Sequence, residues 1–522
     1  MGEGASAEEE CMTRKTNMLV LVLCLLIPWL AAAAPSPADE GAAKESAAPL
    51  PAPEPKTFVK KAQLQTDGGM IKYTTHAGEI YLRDDKGRPT ATIFSIAYLK
   101  DDVGDPAQRP VAFAFNGGPG SSAVWLQYGL LGPWRVVVPS EAAPLGAAPY
   151  RIEPNPLSLL RAADLVFIDP VGTGFSRALP PAKDEDFWGV DEDGKAVAEF
   201  IRLWITKFNR WNSPKFIIGE SYGGTRSAKL LEELQGGTSA INLNGVVLVS
   251  PALDYHTFVN GPGNLVYYVS HLPAYAAAAW YHDRLPQKRA DYLAFLAEVD
   301  AFAKTEYLAA LYKGETIDPQ EKERVIEKLH QYTGLSLEYL RRTHLQIDEF
   351  RFAKELLRDK GLIIGLHDSR STGGDLDEVS AEVAWNPSDY INSGFTAAIN
   401  DYLRRIVGVD LERKYEIQNM KSPQTWKRPA DAAGLFAGAV TVTPLLKAGA
   451  LLNPHLHILV LSGRHDLLTT PWGAEWAMAQ SQVPARQVTL RHYEGGHMMY
   501  LCEPTFKEMA EDLREFVATP KK

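Results

Sequence analysis

Near the middle of the chain, Lys215-Phe216-Ile217-Ile218-Gly219-Glu220-Ser221-Tyr222-Gly223-Gly224 sets a serine between two glycines. The residues before it form a short apolar run, as a buried strand requires, and those after it open a helical pattern. A strand that turns straight into a helix has no room for side chains on either flank of the turn. Glycines at 219 and 223 meet that need, and the sharp turn lifts the serine oxygen above the strand ends. The helix start beyond it favours negative charge developing nearby. A serine hydroxyl is a poor nucleophile until a base removes its proton and an acid fixes the tautomer of that base. The pattern therefore predicts acyl transfer at Ser221, with a structural turn as the alternative.

The acid and the base are sought downstream. Gly463-Arg464-His465-Asp466 follows an apolar strand-like run, which places Asp466 just past a strand end. After a further strand-like run at 487–491 comes Glu494-Gly495-Gly496-His497-Met498, and His497 falls on a glycine-rich loop near the C-terminus. Both positions suit a Ser-Asp-His triad. The chain has 12 histidines, so the others are weighed too. His465 points away from the site if Asp466 faces it, His492 sits on a strand-like run, and His455 and His457 flank a strand start. No HExxH or similar spacing links them, so no metal site and no cofactor is expected.

These residues need a scaffold. Residues 58–99 show β-rich runs around Asp84-Asp85-Lys86-Gly87, a turn signal, and predict an antiparallel start to a sheet. Short apolar runs follow at 111–115, 164–168, 215–219, 245–250 and 457–462, with helical stretches at 190–211 and 225–235 and a closing helix at about 503–517. Apolar strands of this kind fit a parallel sheet buried on both faces. Thr505 with Glu508 suggests a capping box for the closing helix. The expected fold class is α/β: a central, mostly parallel, doubly wound sheet of the α/β-hydrolase type, in which the triad follows the chain order serine, acid, histidine. The stretch at about 255–429 breaks the strand–helix rhythm and is helical, for example at 292–313 and 319–339. It is expected to be a helical lid inserted over the carboxyl edge of the sheet, the alternative being a separate domain.

Hydrophobic residues make up 45% and charged residues 23% of the 522-residue chain, which suits a large globular core. Net charge is −10 with no long basic stripe, which argues against a nucleic-acid partner. Arg14 and Lys15, the apolar run at 18–30 and the alanines at 31–34 predict a signal peptide over 1–34, with translation starting near residue 12. The apolar run is shorter than the ~20 residues of a membrane span; a retained anchor is the alternative. An Ala/Pro-rich linker follows at 35–57, and the hydrolase domain occupies 58–522. The mature protein is thus expected to be exported, secreted or periplasmic, with no membrane attachment after signal removal. It would keep Cys502 of the three cysteines and no internal disulfide.

Asn116-Gly117-Gly118-Pro119-Gly120-Ser121-Ser122 follows the first core strand, and Asp169-Pro170-Val171-Gly172-Thr173-Gly174-Phe175-Ser176 follows the second. Together with Gly219-Glu220-Ser221-Tyr222-Gly223 and Gly496-His497-Met498, these motifs make the chain resemble the serine carboxypeptidases over about 105–255 and from 455 onward. The resemblance implies Ser221, Asp466 and His497 as the triad and the backbone N–H groups of Gly118 and Tyr222 as the oxyanion hole. It further implies Asn116, Gly117 and a protonated Glu220 as the holder of the substrate's terminal carboxylate, and peptides as substrates. Three positions depart from the family pattern: Ala114 replaces a tryptophan, Leu130 replaces a second carboxylate-binding glutamate, and Ser121 replaces a cysteine. The clamp is thinner as a result. An esterase or acyltransferase with the same triad is the competing reading, and a catalytically dead binding protein is a third. Trp125 and Tyr128 are candidates for a side-chain pocket or for core packing, and residues 169–176 for scaffolding.

Overall fold

The apolar runs become strands of one ten-stranded sheet in the computed structural model of the protein, which describes residues 54–261, 263–427 and 440–518. These residues lie within the unit Ala52–Lys522. The expected signal peptide, the linker as far as residue 53 and the last two residues of the expected lid lie outside the described residues.

Strands β1 (Thr57–Thr66), β2 (Gly69–Arg83) and β3 (Pro89–Lys100) form the antiparallel start. The Asp84–Gly87 turn between β2 and β3 is held by Asp84, whose Oδ1 accepts the N–H groups of Lys86 and Arg88 at 3.0 and 2.9 Å. The remaining strands are β4 (Val111–Phe115), β5 (Asp164–Ile168), the short β6 (Arg177–Ala178), β7 (Lys215–Glu220), β8 (Gly245–Val249), β9 (His457–Gly463) and β10 (Val488–Tyr493). The order across the sheet is β1-β2-β3-β5-β4-β7-β8-β9-β10, with β6 paired to β3. From β5 to β10 every pairing is parallel.

Strand periodicity sends successive side chains to opposite faces. In β4, Ala112 and Ala114 join one core layer, while Val111, Phe113 and Phe115 join the other. The second layer is closed by helices α1 (Val190–Lys207), α2 (Tyr222–Gln235), α3 (Thr443–Leu452) and α4 (Pro471–Gln480), through Trp204, Leu230, Leu446 and Ala477. The first is closed by α5 (Glu503–Ala518), through Phe506, Met509 and Leu513. Each fully buried Phe or Leu of this kind contributes about 1.5–3 kcal/mol of apolar transfer energy. With helices on both faces, the mostly parallel sheet is doubly wound.

Between β8 and β9 lie the helices Leu265–Tyr281, Tyr292–Phe302, Pro319–Thr333, Leu337–Arg342 and Glu349–Glu355, which pack on one another around Leu272, Val299, Leu329 and Phe352. The helix Asn392–Asp401 instead sends Phe395, Ala398 and Ile399 into the first sheet layer. The expected helix at 319–339 is broken: it ends at Thr333, where Gly334 turns left-handed at φ 70°. A β-carbon at 334 would stand 2.4 Å from the Arg284 carbonyl oxygen, so the glycine also permits a close crossing. The capping box expected at Thr505 is absent. The closing helix starts two residues earlier, and the Thr505 hydroxyl donates to the Glu494 carbonyl at 2.8 Å.

Candidate active site

Ser221 stands at the end of β7 as the residue preceding α2, with φ 61° and ψ −125°. A non-glycine residue at positive φ is strained and is kept there by its surroundings. Its N–H donates to the Val249 carbonyl at 2.9 Å, and its carbonyl accepts from Gly224 and Ala252 at 2.8 and 3.0 Å. Of the flanking glycines, Gly219 is sterically required, whereas a β-carbon on Gly223 would come no nearer than 3.2 Å, to the Phe115 carbonyl oxygen. A β-carbon on Gly219 would lie 2.3 Å from the Gly223 carbonyl oxygen, and one on Gly117 would lie 2.4 Å from the Tyr222 nitrogen. The loop after β4 is thereby pressed against the elbow.

A cleft of about 380 Å³ opens beside Ser221. Gly117, Gly118, Glu220, Tyr222, Thr469 and His497 share its wall with Ser221. Among the described residues, no hydrogen bond joins Ser221 to His497. The acid–base pair is formed: His497 Nδ1 lies 2.7 Å from Asp466 Oδ2. Asp466 is fully buried, and its Oδ1 accepts the N–H groups of Leu468 and Thr469 at 2.8 and 3.1 Å. Burial disfavours both charges, yet the pair overrides it. The Asp466 carboxylate, with a contribution from Glu220, lifts the His497 imidazole above its ordinary value, while His497 and Thr469 hold Asp466 below its own.

Glu220 is 3% exposed, and burial pushes its carboxyl up to about 7 against the opposing pull of His497 and two hydrogen bonds. Asn116 Nδ2 donates to its Oε1 at 2.8 Å and the Tyr500 hydroxyl to its Oε2 at 2.6 Å. Asn116 is oriented in turn. Its Oδ1 accepts from Leu126 N at 3.1 Å, and its carbonyl accepts from Arg226 Nη1 at 2.7 Å. Arg226 is itself held by Asp193 at 2.7 Å in a buried pair.

The histidines weighed against His497 lie apart from this wall. His465 turns to Glu494 at 3.2 Å, and His492 to Glu475 at 3.4 Å. His457 meets the Thr489 hydroxyl at 3.2 Å. Trp125 lines the cleft, whereas Tyr128 is sealed in the core. The 169–176 motif is scaffold: Ser176 Oγ donates to the Asp169 carbonyl at 2.6 Å and accepts from Phe94 N at 2.7 Å.

A family model described as serine carboxypeptidase matches residues 81–498. The chain belongs to the serine carboxypeptidase family. It is 31% identical over 196 residues to serine carboxypeptidase-like 51 of Arabidopsis thaliana, covering 35% of this chain and 39% of that protein. It is 27% identical over 213 residues to serine carboxypeptidase-like 36 of the same plant, covering 39% and 40%. The matches thus span about two fifths of the length of these relatives. Among solved structures, Kex1, a prohormone-processing carboxypeptidase from Saccharomyces cerevisiae, superposes with a TM-score of 0.53 at 15% identity, covering 85% of this chain and 91% of that one. That likeness, with the doubly wound sheet, establishes the α/β-hydrolase fold.

Within this serine carboxypeptidase fold, the departures from the family pattern have plain positions. Ala114 and Leu130 are both buried in the first core layer, away from the cleft wall. Ser121 lines the cleft and bridges to Gln418. Cys502 is a free, buried thiol. Sequence reasoning missed four residues here: Tyr500 on Glu220, Thr469 beside the Asp466–His497 pair, and His367 and Asp389, which reach the cleft from the inserted segment. For Tyr500 a signal existed, because it lies three residues beyond His497. For Thr469 one existed too, three residues beyond Asp466, whereas for His367 and Asp389 the relevant neighbours are far away in sequence.

Proposed function

We propose that the protein is an exported serine carboxypeptidase that releases C-terminal residues from peptides through an acyl-enzyme. The observation that carries this reading is the buried Glu220–Asn116 pair, joined at 2.8 Å on the residue adjoining Ser221. A carboxyl raised to about 7 keeps its proton in mildly acid solution and can share it with a peptide's terminal carboxylate. A clamp one residue from the nucleophile brings the last peptide bond, rather than an internal one, to Ser221.

In this reading the terminal carboxylate rests on Asn116, Gly117 and Glu220. Ser221 Oγ attacks the scissile carbonyl as His497 takes its proton, and Asp466 keeps the imidazole in the tautomer that can accept it. The N–H groups of Gly118 and Tyr222 receive the oxyanion. His497 then protonates the departing amine. Water, activated by the same histidine, cleaves the Ser221 ester and restores the hydroxyl. No metal or organic cofactor enters these steps. The inserted helices between β8 and β9 act as a lid that completes the cleft, and residues 1–34 direct export. No helix among the described residues is long and apolar enough to cross a membrane.

One observation favours a second reading. Leu130 puts apolar core where the family pattern has a second carboxyl, so a single glutamate serves the clamp. An esterase or acyltransferase would use the same triad without it. Mass spectrometry of a peptide mixture incubated with the mature protein separates the two. The carboxypeptidase reading predicts ladders shortened from the C-terminus, and intact peptides with hydrolysed small esters would overturn it.

A further inference from the structure

The side of the cleft facing the elbow is built by the inserted segment, and its polar groups are not used by the steps above. His367, Ser388, Asp389, Asn392 and Gln418 line it, and no lysine or arginine does so among the described residues. Two acidic side chains reach the cleft. Glu220 has both oxygens occupied by Asn116 and Tyr500. Asp389 has weaker partners: it accepts from Asn386 Nδ2 at 3.3 Å and lies 3.9 Å from His367 Nδ1. His367 Nδ1 also meets Asn386 Nδ2, at 2.8 Å, so it acts as an acceptor and the ring is neutral. Burial and the neighbouring His497 also push His367 well below its ordinary value. No lysine or arginine pairs with Asp389 among the described residues, and about half of its side chain is open to solvent, at 54%.

The position of Asp389 follows from its element. Asp389, Asn392 and Phe395 fall at intervals of three along one continuous helical stretch and share a face. At one end, Asp389 neighbours His367, whose ring is 5.5 Å from that of His497. At the other, Phe395 packs 4.9 Å from Trp125, next to Leu126, which holds Asn116. The stretch therefore runs from the histidine to the clamp, along the path of the residue that lies between the scissile carbonyl and the terminal carboxylate.

We propose that Asp389 makes the cleft selective for peptides ending in a basic residue, the side-chain cation pairing with its carboxylate while the terminal carboxylate rests on Asn116 and Glu220. The inference depends on the carboxypeptidase reading. The Asp389 carboxylate has no lysine or arginine charge to balance it among the described residues. A substrate ammonium or guanidinium supplies that charge, and a terminal glutamate would add a second negative one.

The test uses the full-length mature protein and three peptides identical except for a C-terminal Lys, Leu or Glu. Wild type, Asp389→Asn and Asp389→Lys are compared by kcat/KM. Wild type should favour Lys over Leu by about fivefold, the scale of one partly solvated ion pair. Asp389→Asn should reduce that ratio toward one, and Asp389→Lys should invert the order in favour of Glu. Unchanged ratios in both variants would overturn the inference, even if overall rates fall, because a structural defect lowers all three substrates together. Release of leucine by wild type with unmoved ratios would leave the carboxypeptidase reading standing. Cleavage of C-terminal amides as fast as of free acids would remove that reading and this inference with it.

Discussion

The Tyr500 hydroxyl donates to Glu220 Oε2 at 2.6 Å, so the loop that carries His497 also carries a partner of the carboxyl beside Ser221. Base and clamp are therefore coupled twice, through this loop and through charge. The Glu220 carboxylate favours protonated His497, and protonated His497 favours ionised Glu220. Their functions need the opposite states: His497 neutral to accept a proton, Glu220 protonated to donate one.

The sign of the pH dependence follows. Glu220 holds its proton below about 7 and loses it above, so peptidase activity should fall as pH rises through that value. Glu220→Gln keeps a donor that does not titrate and should flatten this alkaline limb. Tyr500→Phe removes a hydrogen bond that favours the carboxylate, so Glu220 should hold its proton longer and the limb should move to higher pH. Profiles of kcat/KM for the three proteins check both shifts. A Tyr500→Phe limb displaced to lower pH would contradict the assignment.

Asp466→Asn should leave the fold intact and cut kcat by roughly 10⁴, because the amide favours the wrong imidazole tautomer. His465→Ala and His492→Ala should each cost under about tenfold, since their partners are Glu494 and Glu475 rather than the triad. Comparable losses at His492 and His497 would show the base to be misassigned.

Thr469 Oγ1 lies 2.7 Å from Asp466 Oδ2 and 3.0 Å from His497 Nδ1, within reach of both members of the pair. Thr469→Val should lower kcat/KM by about tenfold, the worth of a lost hydrogen bond of ~1–1.5 kcal/mol. It should also raise the Asp466 carboxyl, which this hydroxyl helps to hold down. Thr469→Ser should restore most of the rate. Equal loss in the two variants would assign the threonine a packing role alone.

A β-carbon on Gly496 would stand 2.1 Å from the His367 carbonyl oxygen, and that carbonyl accepts the His497 N–H at 2.5 Å. Gly496→Ala should push the histidine loop away from the inserted segment. A displacement near 1 Å costs on the order of 10²-fold in rate. Single-turnover kinetics should show the loss in acylation, with the Tm lowered as well; full activity would show the contact to be dispensable.

What the sequence revealed depended on how local the signal was. Ser221 was legible because its glycines, the preceding strand and the following helix lie within one short run. Asp466 and His497 each follow a strand-like run, at 457–462 and 487–491, and those runs became the neighbouring parallel strands β9 and β10. The sheet was legible through apolar runs bounded by turns. The cleft wall was not. Asp389 and His367 reach the cleft only because more than a hundred residues of insertion fold back over the sheet, and no pattern near either residue records that path. Helix limits failed where one residue decided them, as at Gly334.

The central claim is tested most directly by kcat/KM for one peptide as the free acid and as the C-terminal amide, with wild type and Ser221→Ala at mildly acid pH. The account predicts loss of the C-terminal residue from the acid, slower turnover of the amide by a factor equivalent to about 1–3 kcal/mol for one unsatisfied buried polar contact, and no turnover by Ser221→Ala. Equal rates on acid and amide at every pH, or ladders that persist in Ser221→Ala, would contradict it.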